Sequence, residues 1–183
     1  MDRDAGLLDW SSRALREDGI AALRPVLDTL GSHLAVLNLS ANELADAGAV
    51  ALAAALGASE ADVGTRLASL VLSRNGIGDA GGCALAVWLG SNRSLCELDL
   101  SENRVANRAA VALASAAAGH PRLAALSLLH NSVRRRGLQA LAKLVQERAD
   151  RPLRIDARLN LVDDGEAQAV SYTHLTLPTK RIV

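Results

Sequence analysis

The sequence predicts an α/β solenoid: a curved array of about six strand-turn-helix units, with parallel strands on the concave face and helices on the convex face. Three observations point there. A pattern recurs every 28 to 33 residues, its leucines change within each copy from alternate to helical spacing, and the composition is dominated by two small or branched aliphatic residues. Of 183 residues, 35 are Ala and 33 are Leu, against two Trp, one Tyr and no Phe. Such a chain is apolar enough to bury a core, but it must build that core from many thin, similar layers.

The repeat is read by aligning Leu34 to Leu56 with Leu67 to Leu89. Their common pattern is L-x-x-L-x-L-x-x-N-x-(L/I)-x-x-x-G-x-x-x-L-x-x-x-L. A third copy runs through Leu95, Leu98, Leu100, Asn103, Val105 and Leu113, and a fourth through Leu123, Leu126, Leu128, Asn131, Val133, Gly137 and Leu141. Weaker copies flank these: Leu8, Trp10, Leu15, Gly19, Leu23 and Leu27 in front, and Ile155, Ala157, Asn160 and Val162 behind. The marker leucine column (8, 37, 70, 98, 126 and 155) advances by 29, 33, 28, 28 and 29 residues. The long step holds the polar stretch from Gly57 to Arg66, which reads as a surface-loop insertion.

Within each copy, Leu-x-Leu has the period of a strand with leucines facing inward, and Leu52/Leu56 or Leu85/Leu89 have the spacing of a helix. Asp46 and Asp79 are expected to cap their own helices from the N-cap position, and Gly57 and Gly90 to follow the helix ends. The column Asn42, Asn75, Asn103, Asn131 and Asn160 is expected to form a buried amide ladder where the chain leaves the strand. The units are placed near 5–33, 34–66, 67–94, 95–122, 123–150 and 151–170, making one repeat domain over 1–170. The stretch 171–183 breaks register and composition; it resembles a translated vector or adapter sequence, or a disordered terminus, and the chain is expected to be part of a longer repeat protein.

These motifs resemble the leucine-rich repeat, and the period with a full helix after the glycine resembles its ribonuclease-inhibitor subclass. That subclass also supplies the repeats of Ran GTPase-activating protein and of NOD-like receptors. The resemblance implies protein binding on the concave surface, but fold does not fix a site.

Charge and motifs exclude more than they assign. Lys+Arg and Asp+Glu balance at 20 each, which removes the general electrostatic case for nucleic acid or an anionic membrane. Two cysteines and the lack of a leader-like start point to the cytoplasm. The recurring serines serve the repeat, and no histidine stands where it would act as their base. Glu97 and Asp99 lack a third carboxylate, so no metal, cofactor or catalytic residue is expected. Trp10 and Trp88 are assigned to the core. Gly76, Gly78, Gly81 and Gly82 belong to repeat columns rather than to a phosphate loop, and Arg134-Arg135-Arg136 reads first as a solvated loop and second as a contact for an acidic partner or phosphate.

The candidate protein-binding face is the set of strand residues between the inward leucines: Asp9, Ser11, Asn38, Ser40, Val71, Ser73, Glu97, Asp99, Ser101, Ser127, Leu129, Asp156 and Arg158. The expected function is a monomeric, non-enzymatic interaction scaffold. Two alternatives come from the resemblance: a GTPase-activating protein using a rim arginine such as Arg74 or Arg104, or the sensor module of a NOD-like receptor.

Overall fold

A computed structural model describes residues 6–30, 33–57 and 66–161 of the chain. The elements among the described residues are, in order, β1 (Leu7–Asp9), α1 (Arg16–Leu30), β2 (Val36–Asn38), α2 (Ala45–Gly57), β3 (Ser69–Val71), α3 (Asp79–Ser91), β4 (Glu97–Asp99), α4 (Asn107–Ala118), β5 (Ala125–Ser127), α5 (Arg135–Glu147) and β6 (Arg154–Asp156). The α/β leucine-rich repeat solenoid expected from the sequence is the fold observed.

The six strands form one parallel sheet in sequence order. Leu8, Leu37, Leu70, Leu98, Leu126 and Ile155 stand opposite one another across it. The column used to mark the repeat is thus one transverse row of the sheet. From Leu37 onward this row is at most 2% exposed. Trp88 joins the core and Trp10 packs against it half-buried, as expected. Among the described residues, each helix packs against the helices of adjoining units, and α5 also meets β6; the buried leucines between the sheet and the helix layer form one continuous cluster.

The asparagine ladder is present and fully used. Asn75 Oδ1 accepts the N–H of Asn42 at 2.9 Å and of Leu44 at 3.4 Å, and its Nδ2 donates to the carbonyls of Leu39, Leu72 and Ser73 at 2.9–3.1 Å. Asn103 repeats the arrangement one unit on, with Asn75 N–H and Ile77 N–H as donors. One side chain therefore satisfies its own turn and the turn of the preceding unit. An amide is required because the site needs acceptor and donor together.

Two expectations at the helix ends are corrected. Asp46 and Asp79 do not cap their own helices: they lie within the first turns of α2 and α3, and the residue before α3 is Gly78, which makes no side-chain cap. Each carboxylate instead crosses to the following helix. Asp46 Oδ1 accepts from Gly78 N–H (2.8 Å) and Gly81 N–H (2.7 Å); Asp79 Oδ1 accepts from Ala106 N–H and Ala109 N–H, both at 2.9 Å. Asn107 continues the relay to Arg134 N–H and Gly137 N–H. The reason is proximity: helices stacked side by side bring the first turn of one within reach of the free N–H groups of the next. Gly57 and Gly90 are helical, and α3 continues to Ser91 with Asn92 as its C-cap.

Small residues set how closely the helices lie. A Cβ added at Gly81 would come within 2.8 Å of Ala49 Cβ, and one at Gly82 within 2.6 Å of Ala109 Cβ. Most of the insertion at 57–66, and the sequence from 162 onward with Val162 and the unusual terminal stretch, lie outside the described residues.

Candidate functional site

The strand residues that alternate with the buried row form two columns on the opposite face of the sheet, and no described element covers them. Asp9 and Glu97 are exposed; Asn38, Val71, Asp99, Ser127 and Asp156 are half-buried beside them. At the strand ends, Ser11, Ser40, Ser73 and Leu129 are half-buried and Arg158 is exposed. Ser101 departs from the expected exposure. It is only 9% exposed, with Asp99 curled back so that its Oδ1 accepts the Ser101 N–H at 2.8 Å.

That bond recurs. Asp9, Asn38, Asp99 and Asp156 each use Oδ1 to accept the N–H two residues on, from Ser11, Ser40, Ser101 and Arg158 respectively. These local turns close the strands. They also restrain these side chains before any partner arrives. The Ser11 N–H, followed by its hydroxyl, pulls the Asp9 pKa below its ordinary value. Arg158 donates to both oxygens of Asp156, at 2.9 and 2.6 Å, and its own pKa is raised by that contact. Across the sheet this column reads Asp9, Asn38, Val71, Asp99, Ser127 and Asp156, so the acids of β1 and β4 are separated by two neutral residues, Ser127 follows Asp99, and the far end is internally paired at Asp156 and Arg158.

Along the rim where strands turn into helices, side chains pair across units. Arg74 Nε donates to Glu102 Oε2 at 2.8 Å, which lowers the Glu102 pKa, and Arg16 reaches Glu43 at 3.2 Å. Beside Glu102 lies an open groove of about 630 Å³, bordered by His130, Ser132, Leu159 and Leu161. A second hollow of about 550 Å³ lies between the first turns of α4 and α5, among Arg108, Val111, Ser132, Arg134 and Arg136. On the convex side, Val50, Ala54, Val87 and Trp88 border an apolar groove of about 440 Å³ between α2 and α3.

One set of residues escaped the sequence reading. Asn92, His120 and Arg148 occupy the same slot of consecutive units, each buried in the connection before a strand. Asn92 Oδ1 accepts from Ser94 N–H and Leu95 N–H, and His120 Nδ1 from Arg122 N–H and Leu123 N–H. Burial, with Arg148 and Arg93 nearby, lowers the His120 pKa to about 4. Arg148 has no acceptor to offer; it donates to the Ala117 carbonyl, and its Nε is the one buried side-chain nitrogen or oxygen without a partner among the described residues. The signal was available as a spacing of 28 between polar residues, but it was masked because the three residue types differ. Among the described residues, no three His, Cys, Asp or Glu converge as metal ligands, and no helix is long and apolar enough to cross a membrane.

Comparison with known proteins agrees with this architecture. A family model described as leucine rich repeat matches residues 32–53, 67–86 and 91–114, which cover the second to fourth units. Among solved structures, leiomodin-1 actin-binding site 2 is similar, with a TM-score of 0.55 and 16% identity over 80% of each chain. That likeness is one of fold. No curated protein matches the sequence.

Proposed function

We propose that this leucine-rich repeat chain is a non-enzymatic scaffold that holds another protein on its concave face, acting as a monomer in the cytoplasm. The observation that supports it most is the uncovered sheet face whose polar side chains are set by local bonds before any partner arrives. Preorganised side chains lose little freedom on binding, which favours affinity. The acidic pair Glu97 and Asp99 on β4 favours a partner surface carrying Lys or Arg, with its contribution expressed mainly in association rate and selectivity.

The test is capture of partners from lysate by the immobilised chain, compared with an Glu97→Arg/Asp99→Arg variant of matching circular dichroism. A reproducible, saturable partner lost at least tenfold in the variant is expected. Recovery of no such partner, or equal recovery by the variant, rejects the reading.

GTPase activation requires a rim arginine free to meet a phosphoryl group. Arg74 is held by Glu102, which leaves Arg104 as the candidate. Single-turnover GTP hydrolysis by small GTPases, unaccelerated by the chain, excludes that alternative. Service as the sensor module of a NOD-like receptor is the same scaffold reading in a larger protein.

A further inference from the structure

The chain's asparagines are followed by Leu, Glu, Arg or Ser at every place but one: Asn75 precedes Gly76. In an Asn-Gly pair the main-chain nitrogen of the glycine reaches the side-chain amide with no Cβ in the way, so the pair deamidates more readily than other Asn pairs. Here the pair sits in the ladder. Asn75 is 2% exposed, and its side chain joins two units. Its Oδ1 accepts from Asn42 and Leu44 of the second unit, and its Nδ2 donates to Leu39 of the second and to Leu72 and Ser73 of its own. Gly76 is exposed beside it, at φ +68°, with nothing beyond its chain neighbours within 4 Å of where a Cβ would stand.

The turn can be built without glycine. The same place holds Glu43 at φ +58° in the second unit, and Arg104 and Ser132, neither in the left-handed region, in the fourth and fifth. The joint between the second and third units is also where the repeat takes its longest step, 33 residues from Leu37 to Leu70. In deamidation the Gly76 nitrogen, its proton passed to solvent base, attacks Asn75 Cγ. The Cγ–Nδ2 bond breaks, and Nδ2 leaves as ammonia with a proton from water. A five-membered succinimide results, and one water molecule opens it to Asp or isoaspartate. The closed ladder opposes each step: the bonds at Oδ1 and Nδ2 fix the amide in place, and burial keeps water from the leaving nitrogen. Reaction therefore needs the joint to open locally.

We infer that Asn75–Gly76 is a deamidation switch: silent while the ladder is closed, it converts an opening of this joint into a lasting separation of the second and third units. The product cannot take up the old bonds. A carboxylate at residue 75 sets an oxygen against the carbonyls of Leu39, Leu72 and Ser73, which now stand 2.9–3.1 Å from Nδ2. Acceptor then faces acceptor, and a charge is buried where an amide was. Isoaspartate adds a methylene to the main chain and shifts the turn as well. Because β2 and β3 pair at this joint, the sheet loses its continuity where the switch acts.

Peptide mapping by mass spectrometry, with isoaspartate resolved from Asp by chromatography, follows residue 75 in the full chain at pH 8. Conversion is expected to be at least tenfold slower in buffer than in denaturing urea. Asn103→Ala, which removes the acceptor of the Asn75 and Ile77 N–H groups, is expected to speed it severalfold in buffer. Gly76→Glu, which places there the residue type of the second unit, is expected to lose the fast conversion in urea. The Asn75→Asp chain is expected to melt at lower urea than the natural chain, with faster hydrogen exchange at Asn42 and Leu44. Equal conversion in buffer and urea, no acceleration in Asn103→Ala, undiminished conversion in Gly76→Glu, or an Asn75→Asp chain as stable as the natural one would overturn the inference.

Discussion

At the scale of the residue, the asparagine column is where sequence and structure agree most closely. Period, residue type and position all indicated a buried amide ladder, because only a group with donor and acceptor satisfies two adjoining turns at once. Asn75→Ala should lower the unfolding free energy by about 3 kcal/mol, since it strands several buried backbone groups. Ser73→Ala, on the half-buried strand end, should change it by less than about 0.5 kcal/mol; urea melts measure both. The polar column in the descending connections was legible only as spacing, since Asn92, His120 and Arg148 share a slot without sharing a chemistry. His120 is neutral when folded, its pKa lowered from 6.5 to about 4. Between those values the unfolded chain takes up the proton and the folded chain does not, so stability falls as pH drops through that window. Urea midpoints at pH 4.5 and 7 should differ for the natural chain, and the part of that difference due to His120 should vanish in His120→Asn, which keeps an acceptor without the titration.

At the scale of the element, the strands were readable and the helix ends were not. Asp46 stood visibly near a helix start, but one dimension cannot tell which of two stacked helices its carboxylate serves. Asp46→Ala should therefore loosen α3 rather than α2, by about 1 kcal/mol. Hydrogen exchange at Gly78 and Gly81 should accelerate while the first-turn amides of α2 keep their rates; the opposite pattern would return Asp46 to its own helix. The contact between Gly82 and Ala109 supplies a second check. Gly82→Ala should destabilise by about 1–3 kcal/mol through overpacking, and Ala109→Gly in the same chain should recover part of the loss, a coupling that a double-mutant cycle measures.

At the scale of the whole molecule, the array follows from repetition itself, which is why the fold class was visible without any tertiary information. Among the described residues each unit touches only its neighbours, so the stability of the array is a chain of adjoining interfaces. The faces available for binding were visible as columns, but the pairing of side chains across units, as of Arg74 with Glu102, was not. Nor did the columns show which side chains the local turns would engage, as with Asp99 over Ser101.

The close helix contacts at Gly81, Gly82 and Gly137 also govern geometry. Neighbouring strands are held about 4.8 Å apart by their hydrogen bonds, whereas packed helices stand about 8–10 Å apart according to side-chain size. The mismatch between these two spacings bends the array, and it shrinks as the helices approach. Glycine and alanine on the outer layer thus flatten the inner one, and the radius of the surface offered to a partner is written in residues that the partner never touches.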